Sequence, residues 1–488
     1  MTSALITAIY LINFISILTT VYVERKKPVT AVVWILVLTF IPIIGFILYF
    51  IFGRNLRPNQ KKVFRLKKIY DEFYSEHFYN EKKIYSHNND IFNDEVINSY
   101  KDIIEMNIAS SKSLYSQDNE IEIFTNGPDK FDSLLKDIEN AVNSIHMLYY
   151  IINDDNIGNR IVNLLTKKAK EGVMVRLLYD QVGSLFTPSK MFKDLIKAGG
   201  KVHRFFPLKF GTYLSINYRN HRKIVVIDGK IGYTGGINIG DEYLGSNKKL
   251  SPWRDTHLRI IGTSVLSLQE RFLMDWYYAS GEKIDTLTDL AAMKKLFPIS
   301  ESKGNKGNIG MQIVSSGPDS AREQIKRGYM KMVSSAKEKL YIETPYFIPD
   351  DSFLEVLQIS AACGVDVRVI LPSIADYKFV HRATTSYIKD LMDYGIKVYF
   401  YPGFIHAKMM VVDGKITSIG SANFDIRSFM LDFELNAFIY DTKFSSKCNE
   451  IFENDMKIST LVTKDWYRSR GLLIKFEEGL SRLFSPLL

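Results

Sequence analysis

Two histidines, two lysines and two aspartates recur with one spacing at two places in this 488-residue chain. The first segment runs Tyr218-Arg-Asn-His-Arg-Lys-Ile-Val-Val-Ile-Asp-Gly-Lys-Ile-Gly-Tyr-Thr-Gly-Gly-Ile-Asn238, and the second Phe404-Ile-His-Ala-Lys-Met-Met-Val-Val-Asp-Gly-Lys-Ile-Thr-Ser-Ile-Gly-Ser-Ala-Asn423. Each contains His-x-Lys-x4-Asp: His221, Lys223 and Asp228, then His406, Lys408 and Asp413. A Gly/Ser-rich turn follows, and an Asn, Asn238 or Asn423, stands 17 residues after each His. An imidazole can act as nucleophile or move a proton, and an ammonium can hold an anionic oxygen. Two such pairs brought face to face form a site for a phosphate.

The elements that must position these groups are legible in the same segments. Lys-Ile-Val-Val-Ile and Lys-Met-Met-Val-Val are short apolar, partly β-branched runs, expected to be buried strands. Asp-Gly after each run is a tight-hairpin signal. Residues i and i+2 of a strand face the same side, so His and Lys of each copy project together. Asp228 and Asp413 fall in the turns, where they are expected to set turn geometry or pair locally rather than touch a phosphate, although they belong to the motif. A lone histidine on an apolar strand is usually structural; two in identical contexts are not. The other six, His146, His257 and His381 among them, are read as structural.

The repeat extends beyond the motifs. Asn126-Gly-Pro-Asp129 and Ser316-Gly-Pro-Asp319 open the two units. Amphipathic patterns follow at Phe131 to Val142 and at Ala321 to Val333, then matching strands from Ile145 and Tyr341, from Gly172 and Gly364, and from Lys201 and Lys397. Alternating strands and helices of this length predict α/β units around a largely parallel or mixed sheet, two of them packed about a pseudo-twofold. The expected divisions are 116–280 and 311–460 for the repeats, 281–310 for the linker and 55–115 for a basic, helix-prone connector. The first copy carries about 11 extra residues, Phe210 to Asn220, a candidate lid or substrate loop.

The chain is basic, with a formal charge of +9, which suggests an anionic partner, either nucleic acid or an acidic membrane surface. Two segments near the N-terminus separate these. Ala4 to Val23 and Val29 to Phe52 carry no charge, and a helix needs about 20 apolar residues to cross a bilayer. The first lacks the basic n-region and small-residue cleavage site of a secretory signal. Residues 1–54 are therefore expected to form a transmembrane helical hairpin, with spans at about 4–23 and 29–52. Arg54, Arg57, Lys61, Lys62, Arg65, Lys67 and Lys68 follow it, against three basic residues in the intervening turn, which by the positive-inside rule places the large part in the cytoplasm. Two distant cysteines, Cys363 and Cys448, fit a reducing compartment. Residues 461–488 carry Leu473, Phe476, Leu480, Leu483 and Leu487 on one helical face, which suits either a helix lying on the bilayer or one closing the fold by packing.

The duplicated His-x-Lys-x4-Asp with its following Gly-Gly/Ser-x-Asn resembles the phospholipase D superfamily over about residues 115 to 450. The hairpin with Trp34, Pro42, Gly45, Tyr49 and Gly53-Arg54, and the segment Ser485-Pro-Leu-Leu488, look like the bacterial cardiolipin synthase family in particular. The resemblance implies two phospholipase D-like α/β/α domains on a membrane anchor. It also implies phosphatidyl transfer between two phosphatidylglycerol molecules, with release of glycerol, through a phosphatidyl-histidine. It assigns His221 as nucleophile and His406 as general acid/base, with Lys223 and Lys408 on the phosphate oxygens. Asn238 and Asn423 are expected to donate amide hydrogen bonds to the same oxygens. Asp255 and Glu434, downstream of each motif at matching points, are expected to orient the histidines. No cofactor and no metal is expected, and the expected partners are phosphatidylglycerol and an anionic membrane surface, not nucleic acid. A membrane-bound phospholipase D using water as acceptor, and a nuclease of the same superfamily, remain the alternatives.

Overall fold

A computed structural model describes residues 2–23, 28–41, 43–46, 49, 92–206, 218–282, 295–298, 307–320 and 322–487. The chain divides into two compact units. One comprises Met1–Lys68 with Leu208–Tyr218, and the other Ile69–Pro207 with Arg219–Leu488.

In the smaller unit, α1 (Thr2–Val23) and α2 (Pro28–Phe40) pack side by side. Three polar side chains bond within the pair: Asn13 Nδ2 donates to Leu38 O at 2.6 Å, and the Ser16 and Thr20 hydroxyls return to carbonyls four residues back. Leu11, Phe14, Ile15, Leu18, Val32, Val33 and Leu36 face outward. The helix expected to run from 29 to 52 ends at Phe40, two residues before Pro42, which lacks the N–H that would continue the ladder. Ile43–Phe46 is helical again. Among the described residues, no helix is long and apolar enough to cross a membrane.

The larger unit is built on one fifteen-stranded sheet. Its first seven strands are β1 (Tyr115–Phe124), β2 (Ser144–Tyr149), β3 (Met174–Asp180), β4 (Lys201–Phe205), β5 (Ile224–Ile227), β6 (Ile231–Gly235) and β7 (His257–Ile261). The next seven are β8 (Ile309–Ser316), β9 (Lys339–Glu343), β10 (Asp366–Pro372), β11 (Lys397–Tyr401), β12 (Met409–Val412), β13 (Ile416–Gly420) and β14 (Glu434–Tyr440), with β15 (Thr460–Leu461) added at one edge. The order is β15-β11-β10-β9-β12-β13-β14-β8-β1-β7-β6-β5-β2-β3-β4. From the central antiparallel pair β1·β8 outward, the two halves read alike: a meander of antiparallel strands, then parallel strands reached by crossover helices.

Helices cover both faces, as the strand pleat requires. Ile145, Met147 and Tyr149 of β2 join a core under helices Gly127–Glu139 and Asn156–Lys170. His146 points the other way, stacking on Phe272 of helix Ser264–Ser280 and hydrogen-bonding Gln269. The second half repeats this, with Gln324–Ser335 and Asp351–Ala362 over its own core. Part of the expected connector joins that core: Ile97, Tyr100, Ile103 and Ile104, at helical spacing, are buried there. The expected linker at 281–310 and the extra residues at 210–220 lie largely outside the described residues.

Candidate active site

Each His-Lys strand is the middle of a three-strand antiparallel set, β5 between β2 and β6, and β12 between β9 and β13. Both hairpins turn at Asp-Gly with positive φ at both central residues: Asp228 (54°) and Gly229 (67°), then Asp413 (53°) and Gly414 (65°). That is the two-residue turn whose twist matches the flanking strands. The Asp228 carboxylate accepts from the backbone N–H groups of Val142, Asn143 and Ser144 at 2.7–3.0 Å. Asp413 accepts from those of Lys337, Glu338 and Lys339 at 2.8–3.0 Å. Both motif aspartates thus fasten the hairpin to the start of the neighbouring strand, at the far end from the histidines.

The two repeats exchange crossed contacts at their histidines. His221 N–H donates to Phe433 O at 2.9 Å, beside Glu434, and His406 N–H donates to Arg254 O at 2.6 Å, beside Asp255. The side chains cross in the same way. His221 Nδ1 pairs with Glu434 Oε1 at 2.9 Å, and His406 Nδ1 with Asp255 Oδ2 at 2.7 Å. Each imidazole is therefore held by the carboxylate of the other half. Lys223 Nζ donates to the carbonyl of His221, and Lys408 Nζ to that of His406, both at 2.6 Å. The two lysines and both carboxylates are wholly buried, whereas His221 and His406 retain 9% and 8% exposure. The imidazoles are thus the part of this cluster that meets solvent.

The charged groups of the two repeats act on one another. Burial pulls His221 down to about 4, with Lys223 and Lys408 adding to the shift against Glu434. Burial, then Lys408, pulls His406 down to about 3, and Lys223 contributes from the other half. Lys223 falls to about 7 through burial, with Glu434 opposing and Lys408 reinforcing. Lys408 falls to about 8 through burial, opposed by Asp255 and Glu434. Against the burial that would raise it, His221 and Lys223 hold the Glu434 carboxyl low. The resting site thus offers neutral imidazoles beside lysines that titrate near neutrality.

Sequence reasoning missed the surroundings. Tyr150 lies edge-on to His221, ring centres 5.0 Å apart. Trp253, Phe404 and Tyr243 surround His406 at 5.7, 5.9 and 6.3 Å. Buried guanidiniums clamp the carboxylate segments: Arg222 Nε donates to Glu434 O at 3.1 Å, and Arg254 Nη1 to Asp255 O at 2.5 Å. Arg222 lies inside His-Arg-Lys and Trp253 inside Trp-Arg-Asp, so adjacency to the motif was the available signal. The two asparagines are less alike than their positions suggest. Asn238 accepts from Ile151 N–H and donates to the Tyr243 hydroxyl at 2.8 Å, while Asn423 Oδ1 is buried without a hydrogen-bond partner. Among the described residues, no group of three or more His, Cys, Asp or Glu side chains is arranged to hold a metal ion.

This duplicated constellation has known relatives. Residues 134–256 and 329–456 match the family model described as cardiolipin synthase, PLD-like domain, and residues 8–54 match phospholipase D-nuclease N-terminal. The chain is 46% identical over 487 residues to a cardiolipin synthase of Listeria monocytogenes, covering 99% of both chains. It is also 46% identical over 491 residues to the major cardiolipin synthase ClsA of Bacillus subtilis, covering 100% of this chain and 99% of the relative. Among solved structures, the phosphatidylserine synthase of Haemophilus influenzae shares the fold with a TM-score of 0.58 at 14% identity, over 75% of this chain and 95% of that one. Two phospholipase D-like domains in a mixed α/β architecture, matched along almost the whole length, place the chain in the cardiolipin synthase family.

Proposed function

We propose that this protein transfers a phosphatidyl group from one phosphatidylglycerol to another, giving cardiolipin and glycerol. The observation that carries the reading is the crossed pair His221–Glu434 and His406–Asp255, two oriented imidazoles with two lysines in one small space. Names of full-length relatives supply the substrate class.

In the first step, His221 Nε2 attacks phosphorus as the bond to the glycerol oxygen breaks. His406 Nε2 gives that oxygen its proton, so glycerol leaves neutral and the phosphatidyl group stays on His221. In the second step a hydroxyl of another phosphatidylglycerol attacks phosphorus, His406 takes its proton, and the P–N bond breaks to restore His221. The depressed basicity of His221 suits the first role, because its imidazole is unprotonated at neutral pH. A phosphodiester entering between the lysines brings negative charge that raises His406 and lets it hold the proton it must donate. Glu434 and Asp255 fix each Nδ1–H, leaving Nε2 for chemistry. Lys223 and Lys408, with Asn238 and Asn423, meet the charge growing on the phosphate oxygens. The reading uses no metal, and a strong chelator is expected to leave the rate unchanged.

The repeats are taken as 116–280 and 311–460. The segments of α1 and α2, extended over 4–23 and 29–52, are read as two membrane spans that leave the catalytic unit on the cytoplasmic side. The seven basic residues from Arg54 to Lys68 support that sidedness. The testing experiment is the product spectrum of the purified full chain in phosphatidylglycerol micelles. Cardiolipin plus free glycerol is expected; phosphatidic acid as the sole product would make the protein a hydrolase and overturn the reading.

A further inference from the structure

The helix α4 (Leu472–Leu483) is folded inside out for a helix on a water-soluble surface. The most buried positions it turns toward the protein are polar: Glu478 and Ser481 are 4% and 1% exposed, with Ile474 half-buried beside them and Ser485, just past the helix end, 3% exposed. Glu478 accepts from the Thr385 hydroxyl at 2.7 Å and from Arg470, and the Ser485 and Tyr387 hydroxyls bond at 3.1 Å. Glu477 binds Lys378 and Arg382. These contacts seat α4 on α3 (Lys378–Ser386), so its placement is specific. The outward positions are the large apolar ones: Leu472 86%, Leu473 71%, Phe476 68% and Leu483 77% exposed, with Leu480 between them. They follow the i, i+3, i+4 spacing that normally marks a core face. Phe484 carries the surface onto α3 through Phe379, ring centres 5.6 Å apart.

Two observations select the occupant. Lys475 stands exposed on α4 itself, and the helix just before it, Lys464–Ser469, exposes Lys464 and Arg468 against Asp465, a basic excess that complements anionic head groups rather than a like-charged second copy. The segment leading into α3 also comes within electrostatic reach of the catalytic cluster. The chain entering α3 carries exposed Tyr377, and Asp376 before it accepts from the Tyr346 hydroxyl and feels the charge of Lys408. We propose that Leu472–Leu483 is an interfacial helix that lays its apolar face on an anionic bilayer and brings the catalytic cluster to the lipid surface. The choice of a bilayer rests on the lipid-substrate reading above.

The test uses the full chain reconstituted in vesicles of phosphatidylglycerol and phosphatidylcholine, in a Cys363→Ser background. A nitroxide at Phe476→Cys is expected to collide with oxygen more often, and with a water-soluble nickel chelate less often, than one at Lys167→Cys. The variant carrying Leu473→Glu, Phe476→Glu and Leu483→Glu alters exposed residues only. It is expected to lose roughly tenfold in rate on vesicles and to stay within about twofold of the parent on monomeric short-chain phosphatidylglycerol. A nitroxide open to the nickel reagent, one shielded from both reagents as in a dimer contact, or an unchanged vesicle rate would each overturn the proposal. A buried nitroxide in a protein that makes no cardiolipin would defeat the catalytic reading and leave the helix assignment standing.

Discussion

After the His-Lys strand the first repeat turns through Gly235-Gly236, and the second through Gly420-Ser421. At Gly236 an added Cβ would meet Asp255 Oδ1 at 2.0 Å, so the shorter carboxylate fits only because that side chain is missing. At Ser421 the hydroxyl is present and donates to Glu434 Oε2 at 2.5 Å, using the length of glutamate. The clamps differ too. Arg222, inside the first motif, holds Glu434 through its carbonyl, whereas the second motif has Ala407 there and Arg254 holds Asp255. Among the described residues, His406 stands among three aromatic rings and His221 beside one. Backbone symmetry delivers two equivalent imidazoles, and side-chain substitutions around them make the two inequivalent. The proposed double displacement gives the two histidines different roles, one holding the intermediate while the other moves protons.

The largest effect that would break the comparison lies in the crossed carboxylates. Glu434→Gln and Asp255→Asn keep the shape but favour the wrong tautomer, and each is expected to lower kcat by about 10²–10⁴. The crossing gives each a signature: Asp255→Asn should let a phosphatidyl-enzyme build up, as a defect at His406, and Glu434→Gln should not form one. Both variants failing at the same step would dissolve the assignment. Next come the turns. Gly236→Ala forces Asp255 away from its present place and should cost about 10²-fold in kcat, while Ser421→Ala removes one hydrogen bond to a charged group, worth about tenfold. Equal losses would mean that the halves tolerate crowding alike.

How far this was visible in the sequence follows from range. The His, Lys and Asp spacing, the buried strands and the Asp-Gly hairpins are local, and they appear as read: β5 and β12 each end in a turn with two positive φ angles. The downstream acids also lay at matching repeat positions, so Asp255 and Glu434 could be named. Which acid serves which histidine depends on the pairing of Phe404–Ile405 with Trp253–Arg254 and of Asn220 with Phe433, contacts spanning about 150 to 213 residues. No local pattern encodes them. The orientation of α4 was equally open, because an apolar stripe says which residues share a face but not whether that face turns inward.

Smaller effects sharpen the contrast. In the free enzyme, kcat/KM should fall as pH rises through about 7 to 8, because Lys223 and Lys408 must be charged to hold the phosphate and burial has lowered both. No fall should appear on the acid side until His221 protonates near 4. A rate flat from 6 to 10 would remove the lysines from the site. Smallest in rate are Asp228→Ala and Asp413→Ala. Each frees three backbone N–H groups and should cost about 1–3 kcal/mol of stability, seen as a lower Tm, with kcat changed less than about tenfold. A loss in rate as large as that of the histidine variants would return these aspartates to the chemistry.

The most direct measurement follows label from phosphatidyl-labelled phosphatidylglycerol onto protein in His406→Ala and His221→Ala. The two-imidazole account predicts an acid-labile adduct that persists in His406→Ala and is absent from His221→Ala, with cardiolipin synthesis lost from both. An adduct in His221→Ala and none in His406→Ala would contradict it.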